Sequence, residues 1–362
     1  MNYIISIAAG QGQVRLIKEI KAAGYGVIAC DLNPDAEGFK YSDIVINQST
    51  YAADKIYEEL KTLNNCKIDG ILTASTGKPV VTASILAERL GVPFLDVKNA
   101  QIMTDKYLFI STLNQLKIPS PKLIDASDLD FNSIEFPVFV KPSKTIFSHA
   151  NMCKCNNKEE LLTGIENAKK ISENGHVNVE EFLTGIDLVS IDYVFNGEII
   201  HVVVIGELNI GEPTFEGLGW YGPIRKAPED IAIKTSRDML RKLNVCYGFF
   251  QTAMKYNPKT QVAKIYETHT EIGGDRVNDT LLPKIFESYN VYMEMIRLAT
   301  DRQPNIPSNS ISNICVIFKE ILKKCNKNTI KNVSKFDEYD SQLIIRKFDG
   351  YFDMLQYVRN NE

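Results

Sequence analysis

The sequence has few of the features that would assign a function at once. It contains one tryptophan and four histidines, and no apolar run approaches the roughly 20 residues that cross a bilayer. Its 41 lysines and arginines nearly balance 45 aspartates and glutamates, so the net charge of −4 gives no global attraction to nucleic acid or anionic membranes. The apolar first segment lacks a basic leader and a cleavage site, and we expect a cytoplasmic protein that binds neither nucleic acid nor membrane.

Cysteine is also sparse, and its pattern excludes a disulfide scaffold. The seven cysteines are odd in number and scattered. Cys153 and Cys155 form the only close pair in the sequence, and neither has a CxxC or histidine partner at zinc-ligand spacing. We therefore expect reduced thiols that mostly serve packing. With 362 residues, 44% of them hydrophobic, the chain is long enough for two or three domains with substantial cores.

Strand and helix signals alternate through the first hundred residues. Apolar runs such as Tyr3–Ala8 and Gly26–Cys30 alternate with helical segments such as Val80–Leu90. Short buried strands that alternate with helices are typical of a parallel, doubly wound sheet. The sequence therefore predicts an α/β domain at the N-terminus.

Later segments follow a different pattern, in which strands succeed one another. The predicted elements are strands over Phe136–Pro142, Leu243–Lys255 and Gln261–Thr268, more strands between Val177 and Ile205 around the turn Asn196-Gly197, and helices over Lys158–Ser172 and Asp279–Thr300. Consecutive antiparallel strands with helices to one side indicate an α+β domain. The segment Phe215–Pro223 holds the single tryptophan, and it fits either a substrate-pocket loop or a cover over a core edge.

Gly10 and Gly12 follow the first strand, and Asp31 ends the second, which half-matches the dinucleotide-binding fingerprint. One interpretation is an anion at a helix N-terminus, and it leads to the hypothesis of a nicotinamide-dependent oxidoreductase. The other is a tight turn that needs small residues. The oxidoreductase hypothesis leaves the polar residues that follow unexplained.

Two lysines stand where a strand ends or a helix begins. Lys141 ends a buried strand, where it could bind phosphate or extend to solvent along its aliphatic stem. Lys106 lies at a helix start, where Thr104 or Asp105 can serve as the cap, and by itself it reads as surface charge.

An unusually polar strand precedes the sequence Gly273-Gly274. Alternation would place Glu267, His269 and Glu271 on one face of this strand. Carboxylate and imidazole groups in this arrangement suggest a divalent-metal site that serves phosphates. The alternative is a solvated strand face.

Taken in order, these segments resemble the ATP-grasp superfamily, in particular its carboxylate–amine ligases, over about residues 1–300. The matching segments are Cys30–Phe39, Thr104–Tyr107, Phe136–Pro142, Val179–Gly185 and Glu267–Arg276. The resemblance implies a mixed α/β and α+β fold with a doubly wound pre-grasp domain, a small lid subdomain and a central antiparallel-sheet grasp domain. The implied boundaries are 1–95 for the pre-grasp domain, 96–117 for connecting helices, 118–182 for the lid, 183–303 for the central domain and 304–362 for a C-terminal lobe.

The resemblance also implies roles for individual residues. The positions that match ATP-binding residues are Lys106, Lys141, Ser148, Glu180, Phe182, Leu183 and Asp187. In this match the two lysines hold the phosphates, and Glu180 takes the adenine amino group. Asp187 falls near the position that binds ribose. The positions that match metal ligands are Glu267 and His269, and those that match catalytic positions are Lys141, Glu271 and Arg276.

Three departures from the family pattern concern phosphate and metal. Ala253 falls where the family has a second metal-binding glutamate, and Glu271 replaces an arginine. The loop over residues 143–150 contains no glycine, although close approach of backbone amides to phosphate favours glycine. A missing carboxylate weakens one of two metal ions, and a lost positive charge can cost a factor of roughly 10³ in phosphoryl transfer.

The resemblance therefore implies one of two functions. The first is an ATP-dependent ligase that uses Mg²⁺ or Mn²⁺ and joins a small-molecule carboxylate to an amine through an acylphosphate. The second is a catalytically impaired relative that binds a nucleotide or metabolite as an accessory protein. No motif identifies the substrates. The oligomeric state stays open, with a homodimer the assembly that the resemblance favours.

Overall fold

The computed structural model describes residues 1–124, 126, 130–144, 151–212, 215–273, 276–287, 289–307, 312–324, 338–339 and 342–359. The strands are β1 (Asn2–Ile7), β2 (Gly26–Cys30), β3 (Ile44–Ile46), β4 (Lys67–Leu72), β5 (Leu123–Ile124), β6 (Val138–Pro142), β7 (Cys153–Cys155), β8 (Val177–Glu181), β9 (Ile186–Phe195), β10 (Glu198–Asn209), β11 (Gly217–Gly222), β12 (Tyr247–Asn257), β13 (Val262–His269), β14 (Asn313–Phe318), β15 (Glu338–Tyr339) and β16 (Leu343–Phe348). The helices are α1 (Val14–Ala22), α2 (Ala53–Thr62), α3 (Lys78–Leu90), α4 (Val97–Met103), α5 (Lys106–Gln115), α6 (Lys158–Ile171), α7 (Ala227–Lys242), α8 (Leu282–Ile285), α9 (Val291–Ala299), α10 (Lys319–Lys324) and α11 (Tyr351–Arg359). Within these ranges no helix is both long enough and apolar enough to span a membrane.

The N-terminal strands form a parallel sheet in the order β3-β2-β1-β4, as the alternating pattern predicts. Alternate residues of β1 pack on opposite faces. Ile4 lies in the core with α1 and α9, whereas Ile5 and Ile7 pack with α2 and α3. The sheet is therefore covered by helices on both sides.

An antiparallel sheet of eight strands lies at the centre, in the order β13-β12-β9-β10-β11-β14-β16-β15. Helix α7 covers one face, where Ala232 and Met239 share a core with Leu188 and Phe250. The C-terminal strands β14 to β16 extend this sheet instead of building one of their own. Where the chain divides into domains stays a prediction.

The third sheet is small and antiparallel, with the order β5-β8-β6-β7. Its apolar face carries Val138, Val140 and Val179, and these side chains pack under α6 against Leu161 and Ala168. Successive residues of a strand point to opposite sides, so the residues between these valines lie on the opposite face. That face carries polar and aromatic side chains.

One predicted helix differs from the structure. The predicted helix over Asp279–Thr300 is broken into a π-helical turn over Val277–Leu281, α8 and α9. Pro283 in α8 has no backbone N–H to donate, and the Asn290 side chain starts α9 afresh by accepting from the backbone N–H of Tyr292 and Met293.

The structure also distinguishes the two interpretations of the segment with the single tryptophan. It contains β11, a strand inside the central sheet, and both Trp220 and Tyr221 are buried there. The structure thus favours a core role over a substrate-pocket loop. Helix α7 is an additional element that the sequence pattern did not predict.

The close contact between β4 and α9 predicts that one methyl group added at Gly70 lowers the stability of the protein. A Cβ added at Gly70 would lie 2.5 Å from the backbone oxygen of Ala299. We expect Gly70→Ala to lower the free energy of unfolding by about 1–3 kcal/mol, because backbone on both sides cannot give way easily. Gly12→Ala is the matched control, since a Cβ there meets open space, and it should change stability by at most about 0.5 kcal/mol. Equal urea midpoints for the two variants would contradict this packing.

Candidate functional site

The polar face of the small sheet holds the first part of the site. In the register of β6 and β8, Lys141 lies opposite Asn178, and Phe139 lies opposite Glu180. Residues opposite each other in neighbouring strands share a face. Four side chains from two strands therefore converge on the side away from α6.

Lys141, Asn178 and Glu180 form a buried cluster on this face. The Lys141 Nζ lies 3.0 Å from Glu180 Oε2, and the two side chains are 6% and 3% exposed. The Asn178 Nδ2 donates to Glu180 Oε1 at 2.7 Å. The Asn178 Oδ1 is also buried, and no donor among the described residues reaches it. Because buried acceptors are nearly always satisfied, this oxygen points to a donor on a bound molecule. The sequence reasoning did not include Asn178.

An aromatic group lies where β8 ends. Phe182 is 6.2 Å from Phe139 and 6.4 Å from Phe215, measured between ring centroids, and the latter two rings are 5.2 Å apart. The Lys154 ammonium lies 5.0 Å from the centroid of the Phe182 ring. Leu183 follows in the connection to β9 and is half-buried. These rings make an apolar wall beside the polar cluster.

Asp187 is enclosed by donors at the start of β9. Its carboxylate is 2.5 Å from the Lys255 Nζ, 2.9 Å from the Asn209 Nδ2 and 3.3 Å from the Tyr266 hydroxyl. Burial, followed by the charge of Asp187, raises the pKa of Tyr266 well above its usual range, so this hydroxyl stays a donor. A ligand hydroxyl at Asp187 would therefore compete with three internal donors.

Lys106 connects helix α5 to β13. The Asp105 side chain caps α5 by accepting from the backbone N–H of Tyr107 and Leu108, and the Lys106 ammonium pairs with the Glu267 carboxylate. Burial alone would raise the pKa of Glu267, but the charges of Lys106 and His269 outweigh it and hold this pKa far below its usual range. Glu267 is therefore ionised, as a metal ligand must be.

His269 is in contact with the two carboxylates on either side of it in sequence. Its Nδ1 is 3.2 Å from Glu271 Oε1, and its Nε2 is 3.9 Å from Glu267 Oε2. Burial lowers the pKa of His269, but the hydrogen bond to Glu271 and the charges of Glu267 and Glu271 raise it to about 9. At neutral pH this histidine is therefore an imidazolium.

The expectation that three side chains share one strand face is wrong for Glu271. Strand β13 ends at His269, so Glu267 and His269 share its face and Glu271 lies beyond it. Glu271 turns inward, is 2% exposed, and accepts from the backbone N–H of Thr270 at 2.9 Å. The alternation of a strand predicts nothing past the residue where the strand stops.

Ala253 lies directly opposite Glu267 in the pairing of β12 and β13. A carboxylate at this position would stand beside Glu267, and alanine leaves it without one. Among the described residues, no three histidine, cysteine, aspartate or glutamate side chains are arranged to hold a metal ion by themselves. A cation here would need ligands from a bound substrate.

The remaining residues singled out from the sequence have other contacts or are not described. The Arg276 guanidinium donates to Gln342 Oε1, which ties it to the segment before β16. Ser148 falls outside the described residues. Asp31 accepts from the backbone N–H of Ala9 at 2.8 Å and of Asn33 at 2.9 Å, so its carboxylate fixes its own loop. This use of Asp31 favours the tight-turn interpretation over dinucleotide binding.

No protein-family model matches the chain. Several solved structures nevertheless share its fold over nearly the whole length. Phosphoribosylglycinamide synthetase from Anaerococcus prevotii has a TM-score of 0.70 at 17% identity and covers 99% of this chain and 98% of its own. L-amino acid ligase from Bacillus licheniformis has a TM-score of 0.72 at 15% identity, with coverages of 99% and 96%. N5-carboxyaminoimidazole synthetase from Staphylococcus aureus, complexed with ADP, has a TM-score of 0.73 at 12% identity, with coverages of 100% and 97%. These likenesses confirm the predicted ATP-grasp fold.

The buried cluster predicts a strong dependence of stability on charge pairing. Glu180→Gln should lower the free energy of unfolding by about 3 kcal/mol, because it leaves the Lys141 ammonium buried without its counter-ion. Adding Lys141→Met removes that charge and should recover most of the loss. Glu58→Gln is the control, since the exposed pair of Glu58 and Lys61 should contribute at most about 1 kcal/mol. Urea unfolding measures all three variants, and an unchanged midpoint for Glu180→Gln would contradict the buried pair.

Proposed function

We propose that this protein is an ATP-dependent ligase that joins a small-molecule carboxylate to an amine through an acylphosphate. The observation that carries the proposal is the buried cluster of Lys141, Asn178 and Glu180 with one unsatisfied acceptor. The charge of Lys141 also acts on Glu267, so the cluster and the end of β13 belong to one electrostatic site. The neighbour solved with ADP supports nucleotide binding by this fold.

The cluster suits the purine end of ATP. The Glu180 carboxylate and the Asn178 Oδ1 are acceptors, as an adenine amino group requires. The rings of Phe139, Phe182 and Phe215 offer apolar surface to the base. In this proposal Asp187 binds the ribose in exchange for one of its present donors, and Ser148 contacts the phosphates.

Lys106 and Lys141 supply the positive charge for the phosphates. Each is paired with a carboxylate, Glu267 or Glu180, so each is already held in place. Phosphate oxygens accept strong charge-assisted hydrogen bonds from ammonium groups. Fixed charges that are aimed at a transferring phosphoryl group stabilise the charge that develops there.

The end of β13 fits one divalent ion but not two. Glu267 offers a carboxylate oxygen, a donor that suits Mg²⁺ or Mn²⁺ when phosphate oxygens complete the coordination, and His269 can add an imidazole nitrogen only when it gives up the proton that it holds at neutral pH. Ala253 withholds the second carboxylate. When bound, such an ion would neutralise phosphate charge and orient the γ-phosphoryl group.

The proposed reaction has two steps. A carboxylate oxygen of the substrate attacks the γ-phosphorus of ATP, which gives an acylphosphate and ADP. The amine then attacks the acyl carbon, and the tetrahedral adduct collapses with loss of phosphate and a proton. Lys141 stays with the phosphates through both steps, and Arg276 and Glu271 border the acyl group. Closure of residues 118–182 over the central domain, residues 183–303, would keep water from the acylphosphate.

A second candidate is a relative that binds a nucleotide or metabolite without catalysis. The observation in its favour is Ala253, which faces Glu267 where a second carboxylate would complete a two-ion site. Such a protein would act as an accessory subunit, and its nucleotide would be bound but not consumed.

Nucleotide binding is testable by thermal unfolding with and without magnesium and ATP. A ligand at one hundred times its dissociation constant adds about 2.7 kcal/mol to stability, and we expect a clear rise in melting temperature for the wild type. Lys106→Ala should remove most of that rise, because it removes a phosphate ligand. Lys259→Ala alters an exposed turn lysine and should leave the rise intact. No rise for the wild type at millimolar ATP would refute nucleotide binding.

Release of ADP separates the two candidate functions. With panels of carboxylates and amines, we expect the wild type to release ADP and the Ala253→Glu, Glu271→Arg double variant to release it at least tenfold more slowly. The Glu271→Arg substitution would remove the carboxylate that pairs with His269, and it would place a positive charge at a buried position. Glu271→Gln keeps the size of the side chain and is the control for folding. Faster release by the double variant would favour the impaired relative.

A further inference from the structure

Cys153 and Cys155 lie on the same face of β7, with their sulfur atoms 3.6 Å apart. The two residues are separated by one position, so alternation along the strand directs both thiols to the side of α6. Cys155 is 1% exposed, and Cys153 is half-buried. An outer thiol within reach of solvent therefore stands next to an inner thiol that is shielded from it.

Gly164 of α6 makes room for this pair. A Cβ at Gly164 would lie 2.7 Å from the Cys153 sulfur and 3.2 Å from the Cys155 sulfur. The helix therefore passes directly over both sulfur atoms without a side chain between them.

The strand itself can change shape. β7 has three residues, lies at the edge of its sheet and pairs with β6 alone. A disulfide has an S–S distance of about 2.05 Å, so the sulfur atoms would have to approach by roughly 1.5 Å. An edge strand can bend by this amount, because it has no neighbour on its far side among the described residues.

The two thiols differ in acidity in the direction that such a reaction needs. The hydrogen bond between the two thiols lowers the pKa of Cys153 and raises the pKa of Cys155. The more exposed sulfur is thus the better thiolate, and thiolates are the nucleophiles that peroxides oxidise.

We propose that Cys153 and Cys155 form a reversible oxidation site, at which hydrogen peroxide or an organic hydroperoxide converts the two thiols into one disulfide. The Cys153 thiolate attacks a peroxide oxygen and breaks the O–O bond, which gives a sulfenic acid and, with a proton, water or an alcohol. The Cys155 sulfur then attacks the Cys153 sulfur, and the sulfenic hydroxyl leaves as water with the proton of the Cys155 thiol. Both sulfur atoms are oxidised, the peroxide is reduced, and a thiol reductant reverses the change.

The disulfide would act on the aromatic wall through Lys154. This residue lies between the two cysteines and points to the opposite face, where its ammonium is 5.0 Å from the Phe182 ring centroid and 2.7 Å from Glu212. Bending β7 to join the sulfur atoms moves Lys154 relative to Phe182. Oxidation is therefore expected to weaken nucleotide binding, and this consequence alone rests on the proposed function.

The covalent step is tested by intact mass and by thiol titration of the unfolded chain after treatment with hydrogen peroxide. The wild type should lose two hydrogen atoms and two thiols, and dithiothreitol should restore both. Cys155→Ala should instead accumulate sulfenic acid at Cys153, with the gain of one oxygen. Cys246→Ser removes an exposed cysteine elsewhere and should react as the wild type does. Gain of oxygen without loss of hydrogen in the wild type, or a disulfide that persists in Cys155→Ala or Cys153→Ser, would overturn the proposal.

The consequence for binding is tested separately by the rise in melting temperature with magnesium and ATP. Oxidised wild type should show less than half of the rise that the reduced protein shows, and peroxide should not change the rise in Cys155→Ala. An equal rise before and after oxidation would overturn the coupling through Lys154. If the reduced protein shows no rise at all, the proposed function fails, and the mass measurement still decides whether the oxidation site exists.

Discussion

Pairing of lysines with carboxylates is the constraint on which this site depends. Each pair joins different elements, and the pairs are Lys141 with Glu180, Lys106 with Glu267 and Lys255 with Asp187. An unpaired charge at the buried pair of Lys141 and Glu180 would cost several kcal/mol, and the cost is smaller at the two pairs whose lysines are partly exposed. Lys106 thereby ties helix α5 to the end of β13, whereas each of the other two pairs ties neighbouring strands of one sheet together.

In this site each lysine is already paired with a carboxylate, so an anion binds by displacing a carboxylate from its lysine. In the proposed ligase, phosphate takes Lys106 from Glu267, and the freed carboxylate then becomes available to a cation. Nucleotide and metal would therefore bind with positive coupling, because each provides the counter-charge that the other displaces. The same argument explains why carboxylates stand beside both of the lysines that we propose to bind phosphate: each carboxylate balances the charge of its lysine until phosphate replaces it.

The sequence predicted well those elements that local pattern determines. The first sheet follows from short apolar runs that end at glycine or aspartate, and the hairpin between β9 and β10 follows from Asn196-Gly197. Asn178 was missed because its importance arises from its register with Lys141, a contact between strands that no local pattern encodes. The broken helix before α9 and the inward turn of Glu271 also depend on tertiary contacts, namely the Asn290 cap and the backbone N–H of Thr270.

Glu271 falls where the resemblance to the ATP-grasp superfamily implies an arginine. The structure shows that this change removes less positive charge from the site than the sequence alone suggests. Glu271 holds the His269 imidazole at 3.2 Å and keeps it protonated, so the exchange brings a positive charge with it. Lys106 and His269 together balance Glu267 and Glu271, which leaves the four groups neutral. Positive charge next to the proposed phosphates is therefore supplied by a histidine that a buried carboxylate orients. Comparison of the sequence with the family pattern shows only that an arginine is missing. The contacts of His269 show that another positively charged side chain stands near this position.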